Sequence, residues 1–299
     1  MKQFLILILL AGLMTLTACS GKMVDNSTDS GSTMSWDLSA SWTLTNGCPE
    51  GQILADNVCV PFTGTGKNTD LFSNTFDDKI QITEVSSGTL KGYYVEPIWS
   101  GSYPWIVMIH EWWGLNDHIK YMAGLLASSG YKVFAIDLYG EVATTPERAR
   151  ELSTTVRGNA DGAIEKMNLA IDYLKNTEWA AKIGTLGWCF GWEQSLNISM
   201  ATPVDATVIY YGNLSEDKEK LKNLKGPVLW IFGDKDTSIP VEKITLFQQN
   251  LNELGKQQWI YTYPWLGHAF ANPSGANYAP DQTMDAWMHT YSFLESVLK

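Results

Sequence analysis

A cysteine with a glycine two residues to either side, in Gly187-Trp188-Cys189-Phe190-Gly191, follows the apolar run Ile183 to Leu186. This is the pattern of a nucleophile elbow: a strand ends in a sharp, strained turn before a helix, and the glycines let the two approach where a side chain would clash. The turn lifts its central side chain above the sheet edge, and a thiol there suits acyl transfer once a nearby base activates it. The bland alternative is a buried cysteine in a glycine-rich turn, since free cysteine is among the most buried residue types. Two later segments weigh against it. Gly233-Asp234-Lys235-Asp236-Thr237-Ser238-Ile239-Pro240 follows the strand-like run Val228 to Phe232, and Gly267-His268-Ala269-Phe270 follows Trp259 to Tyr263. Here His268 would take the thiol proton, while Asp236 would hold its tautomer and stabilise the imidazolium. Taken singly, an aspartate after a strand reads as a turn or cap and a histidine as a satisfied surface or core residue. Together, in this order, they favour the relay. Asp234 is the rival acid and reads as a solvated loop residue.

These groups fall just past strand ends, so a sheet must position them. From Ile80 onward strand-like runs alternate with amphipathic stretches such as Ile164, Met167, Ala170, Ile171 and Leu174, spaced for one helix face. Ile80 to Val85 and Tyr93 to Val95, around Ser87-Gly88, predict an opening hairpin. The expectation is an α/β fold with a mainly parallel sheet and helices on both faces. Residues 76–299 form this domain, about 225 residues and enough for a sizeable core. Nucleophile, acid, histidine is the chain order of α/β-hydrolase sites, distinct from those of chymotrypsin and subtilisin. The sequence has no internal repeat, metal-ligand spacing or phosphate-cradling glycine loop, so neither metal nor cofactor is predicted. A formal charge of −11 argues against nucleic-acid binding.

A fourth segment, Ile109-His110-Glu111-Trp112-Trp113-Gly114-Leu115-Asn116, joins Asp137-Leu138-Tyr139, the elbow, Tyr210-Tyr211-Gly212, the Gly-x-x-Asp-x-x-Ile-Pro run and Gly-His-x-Phe. In this order the motifs resemble the dienelactone hydrolase family of α/β-hydrolases, from about Ile80 to the C-terminus. The resemblance implies Cys189 as nucleophile, His268 as base, Asp236 as acid and Glu111 as a buried carboxylate contacting the thiol. Such a carboxylate would keep the thiol protonated until substrate displaces it. The oxyanion hole would come from the backbone N–H groups of Phe190 and Trp112. Departures from the family fall at Trp192-Glu193, where more glycine is usual, and at Asn272, where dienelactone-cleaving members carry a carboxylate-gripping arginine. Trp192 is expected either to narrow the pocket or to pack between helix and sheet, and Trp113, Trp192 and Asn272 are taken as pocket residues. Arg150, or else Arg148, is the candidate second carboxylate-binding arginine, against an ordinary solvated helix start. Of thirteen tryptophans, Trp112, Trp113, Trp188, Trp192 and Trp265 flank motif residues, and two or three of these five are expected to wall an apolar or aromatic acyl pocket.

The N-terminus bears on where the chemistry happens. Met1-Lys2, the apolar run Phe4 to Met14 and Leu16-Thr17-Ala18-Cys19 read as a signal peptide over residues 1–18. Leu-Thr-Ala-Cys resembles a bacterial lipobox, which implies lipidation of Cys19. The alternative is an ordinary secretory signal with a coincidental cysteine. Ser20 at the next position, rather than Asp, is expected to send the protein onward to the outer membrane if the envelope has two membranes. Residues 19–46, rich in Ser, Thr, Gly and Asp, are expected to form a flexible tether. In the segment 47–75, Cys48 and Cys59 are a plausible disulfide in an exported chain, which leaves Cys189 as the free thiol. The expected activity is hydrolysis of a small-molecule ester or lactone through a thioester. The alternatives are a non-catalytic envelope binding protein, with Trp192 and Glu193 blocking the site, or a thioesterase or peptidase using the same residues.

Overall fold

The computed structural model describes residues 52–55, 58–61, 79–177, 182–212 and 214–299. The expected signal peptide and tether, Cys19 and Cys48 lie outside the described residues, and with them the expected Cys48–Cys59 pairing. Cys59 falls in a short antiparallel hairpin of β1 (Gln52–Ala55) and β2 (Val58–Pro61), opposite Leu54.

The main sheet opens with the expected antiparallel hairpin, β3 (Ile80–Ser87) and β4 (Leu90–Pro97), whose strands extend closer to the turn than the periodicity predicted, by two residues in β3 and three in β4. Six parallel strands follow: β5 (Trp105–Ile109), β6 (Lys132–Ile136), β7 (Ile183–Trp188), β8 (Ala206–Tyr210), β9 (Val228–Gly233) and β10 (Gln258–Tyr263). Their order across the sheet is β10-β9-β8-β7-β5-β6-β4-β3. The helices are α1 (Asp117–Ser128), α2 (Pro146–Gly158), α3 (Ala160–Thr177), α4 (Phe190–Ala201), α5 (Lys218–Leu221), α6 (Val241–Glu253) and α7 (Pro280–Leu298).

Strand β5 explains the layering. Its five residues are all apolar and all buried. Trp105, Val107 and Ile109 face one way onto Met167 and Ile171 of α3, while Ile106 and Met108 face the other way onto the Ile119 and Leu126 side of α1. A strand covered on both faces reads as an unbroken apolar run, and each such side chain contributes ~1.5–3 kcal/mol on burial. Helix α1 is started by Asn116, whose side chain accepts the Ile119 N–H, and α2 by Thr145 with Pro146 in its first turn.

Helix α4 packs on β7 and β8 through hydroxyls instead of aliphatics. Ser195, Ser199, Thr185 and Thr207 form a buried hydrogen-bonded seam, with oxygen separations of 2.8–2.9 Å. These short side chains let the helix ride close to the sheet. The strand order reverses direction at β5, between β6 and β7, which opens a crevice beyond the carboxyl ends of the strands. Every polar residue considered next lies on that edge.

Candidate active site

Cys189 sits between β7 and α4 with φ 51° and ψ −113°, a strained conformation for a residue with a side chain. A Cβ at Gly187 would overlap the Gly191 carbonyl, so the glycines are required by the close approach of strand and helix. Tyr211, Trp265 and Ala269 also have positive φ, and all follow strands that end at the same edge.

The Cys189 Sγ lies 3.2 Å from His268 Nε2, and His268 Nδ1 lies 2.7 Å from Asp236 Oδ2. The carboxylate only accepts, so Nδ1–H donates to it and Nε2 faces the thiol. Ser238 had no role in the sequence argument. Its backbone N–H donates to Asp236 Oδ1 at 2.9 Å, and its hydroxyl bonds the same oxygen while lying 3.1 Å from His268 Nδ1. The only sequence signal for it is the Asp-x-Ser spacing of a local turn. Burial opposes charging of His268, but the hydrogen bonds to Asp236 and Cys189 outweigh it and push its pKa up to about 10. Burial would raise Asp236, yet the bonds from His268 and Ser238 hold it below the usual carboxylate range. Asp234 instead accepts the Trp265 N–H at 2.6 Å and pairs with Lys235, as a loop residue.

Glu111 closes the strand β5 edge of the site. It is buried, but its carboxylate makes no hydrogen bond to the thiol. Oε1 accepts from the Tyr211 hydroxyl at 3.1 Å and Oε2 from the Asn272 amide. Burial pushes its pKa up to about 7, against the lowering by Tyr211, His268 and Asn272. Asn272 is therefore a clamp on Glu111, with its own Oδ1 taken by the Ser274 N–H and hydroxyl. His110, also unforeseen, braces the same corner. The Leu138 N–H donates to its Nε2 at 3.2 Å, so its Nδ1–H donates to the Glu111 carbonyl at 2.6 Å. Burial lowers its pKa and keeps it neutral, and its ring stacks on Phe190 at 5.7 Å. A histidine closing an otherwise apolar strand was the available hint.

The backbone N–H groups of Phe190 and Trp112 have no backbone acceptor among the described residues. Trp112 and Trp113 are half-buried, ring to ring at 4.8 Å. Trp188 is buried against Tyr210, and Trp265 is 79% exposed with Lys235 over its ring. Trp192 is buried, and its indole lies where a Cβ on Gly212 would fall, so it packs between helix and sheet. Arg150 is exposed on α2, and Arg148 pairs with Glu141 and Glu151. The arginine beside the elbow is Arg157, whose Nε lies 2.7 Å from Glu193 Oε2 and whose guanidinium covers the Phe190 ring at 5.4 Å.

A family model described as the dienelactone hydrolase family matches residues 90–298. A protein of Methylorubrum extorquens, provisionally named a carboxymethylenebutenolidase, is 30% identical over 68% of this chain and 75% of its own length. Protein usf of Aquifex pyrophilus is 29% identical over 70% of this chain and 94% of its own. Among solved structures, a dienelactone hydrolase-like promiscuous phosphotriesterase from metagenomic libraries superposes with a TM-score of 0.69. It is 19% identical and is matched over 74% of this chain and all of the other, which is a likeness of fold.

Proposed function

Because this chain belongs to the dienelactone hydrolase family of ester and lactone hydrolases, we propose that it cleaves a small ester or lactone through a thioester on Cys189. The observation that carries this reading is the continuous path Sγ, Nε2, Nδ1, Oδ2, with separations of 3.2 and 2.7 Å, assembled from the ends of three different strands.

Sγ attacks the acyl carbon, and the proton shared with the thiol resides on His268. The carbonyl oxygen becomes an oxyanion received by the N–H groups of Phe190 and Trp112. Collapse breaks the C–O bond, and His268 Nε2–H protonates the leaving alkoxide. His268 then takes a proton from water, which attacks the thioester; the acid leaves and the thiol is restored. With a lactone, alcohol and acid are one molecule. Asp236 and Ser238 hold the ring, and Glu111 is fixed by Tyr211 and Asn272. The non-catalytic alternative needed Trp192 and Glu193 to cover the nucleophile; Trp192 packs on Gly212 and Glu193 pairs with Arg157.

The test is intact-mass detection of an acyl adduct after acid quenching with an aryl ester, localised to Cys189 and lost in Cys189→Ala. Unimpaired turnover by a folded Cys189→Ala protein overturns the mechanism. In the same reading, Cys19 carries lipid and places the domain at the bacterial envelope, because two or more acyl chains at about 0.8 kcal/mol per buried CH₂ anchor stably. Wild type should fractionate with membranes, and processed Cys19→Ala should not.

A further inference from the structure

The arginines of this chain, Arg148, Arg150 and Arg157, all lie in α2. Only Arg157, in its last turn, reaches the elbow among the described residues. Its guanidinium lies over the ring of Phe190, the residue that follows the nucleophile. An arginine in that place, left unpaired, offers a planar fork to any carboxylate entering beside Cys189. Its Nε edge is already engaged. Glu193, in the first turn of the helix that begins at the elbow, supplies a carboxylate oxygen 2.7 Å from Nε.

Other cations at this edge are similarly engaged. Lys166 caps the Leu138 carbonyl at 3.3 Å, Lys235 pairs with Asp234 and covers Trp265, and His268 is held by Asp236. The Asn272 amide is taken by Glu111. An incoming anion therefore meets the carboxylates of Asp236 and Glu193, with the arginine beside the elbow already drawn to Glu193. We infer that the Arg157–Glu193 pair is a charge filter, which reserves the Cys189 site for esters and lactones with an uncharged acyl group. This rests on the hydrolase reading above.

Stability does not account for the pair. Its side chains are 44% and 31% exposed, where an ion pair contributes little to folding. Its effect is on what may approach: Glu193 acts as an internal carboxylate that competes with one on the substrate.

The experiment uses two probes of opposite dependence on the hydrolase reading. The first compares kcat/KM for the para-nitrophenyl esters of para-toluate and of terephthalate, which differ by a carboxylate too remote to attack its own ester. The second compares alkylation rates of Cys189 by iodoacetate and iodoacetamide, which need no turnover. Wild type, Glu193→Gln and the double variant Glu193→Gln/Arg157→Gln are measured. In Glu193→Gln the anionic-to-neutral ratio should rise by about tenfold for the esters and severalfold for the alkylators, and fall back in the double variant. High salt should shrink both gains, because the pair is half-exposed. An alkylation ratio within about twofold of wild type in folded Glu193→Gln overturns the filter, as does a gain that survives loss of Arg157. Failure of wild type to turn over either ester sinks the hydrolase reading, while the alkylation ratio still decides the filter.

Discussion

Asp236 and Glu111 stand at the same sheet edge, both nearly out of solvent, at 6% and 2% exposure. Burial pushes each toward the neutral acid, yet they end on opposite sides. Asp236 touches a group that carries a full positive charge when protonated, His268, and accepts from the Ser238 N–H and hydroxyl. Its carboxyl falls below the usual range. Glu111 accepts from a phenol and an amide, both neutral, with His268 acting on it only at longer range. There burial prevails, and the carboxyl titrates at about 7. Neutral donors soften the desolvation of a carboxylate, whereas a cation in contact reverses it.

Removing the cation breaks this contrast most severely. His268→Ala deletes the base and leaves Asp236 without a counter-charge, so ester kcat/KM should fall by ~10³ or more. A fall of less than about tenfold would mean that another group activates the thiol. Because the folded pKa of His268 is raised from 6.5 to about 10, its stabilisation is full below 6.5 and is lost as pH rises through about 10. The variant's thermal midpoint should lack that decline.

The neutral side is best attacked from behind. Trp192 packs on Gly212, next to Tyr211, and Trp192→Ala should cost about 3–5 kcal/mol in urea unfolding. A cost under about 1 kcal/mol would put the indole outside the core.

Glu111→Gln sharpens the comparison without emptying the site. The amide oxygen accepts from Asn272, the nitrogen donates to the Tyr211 oxygen, and nothing titrates. The folded protein holds the Glu111 proton more tightly than the unfolded chain does. That contribution is full below 4.5 and is lost as pH rises through about 7, up to about 3 kcal/mol in all. Wild-type stability should decline across this window, and the variant's curve should be shallower; superimposable curves would show that Glu111 is charged throughout.

Tyr211→Phe is the mildest change. It removes a donor that favours the carboxylate, so the midpoint of the Glu111 limb should move to higher pH by about one pH unit. Movement to lower pH would contradict the hydrogen-bond assignment.

The contrast also marks what sequence order can and cannot specify. Cys189, Asp236 and His268 were legible because each is tied to its own strand end, and parallel strands bring such ends to one edge whatever their lateral order. Glu111 was legible as a position, but its partners are 100 and 161 residues away and are set by which strands lie side by side. The direction of Trp192 was hidden because α4 is buried on several sides and the residues that continue its sheet-facing side, Ser195 and Ser199, are serines, so no apolar stripe shows which way it faces. Arg157 went unnoticed for a similar reason: which residue of α2 reaches the elbow depends on where α2 meets α4, which its own periodicity does not encode. The all-apolar β5 and the helix face of Met167, Ile171 and Leu174 were plain, because there burial alone dictates the residue types.

Among the described residues, the four non-glycine residues with positive φ, Cys189, Tyr211, Trp265 and Ala269, all cluster beyond strand ends at one edge. Each conformation costs about 1–3 kcal/mol, part of which glycine would recover. A selection for heat resistance alone would thus be drawn toward glycine at these positions, Cys189 among them, and would enrich sturdy proteins that have lost their nucleophile. Improvement of this scaffold is safer when activity is scored in every round, or when these four positions are withheld from the library.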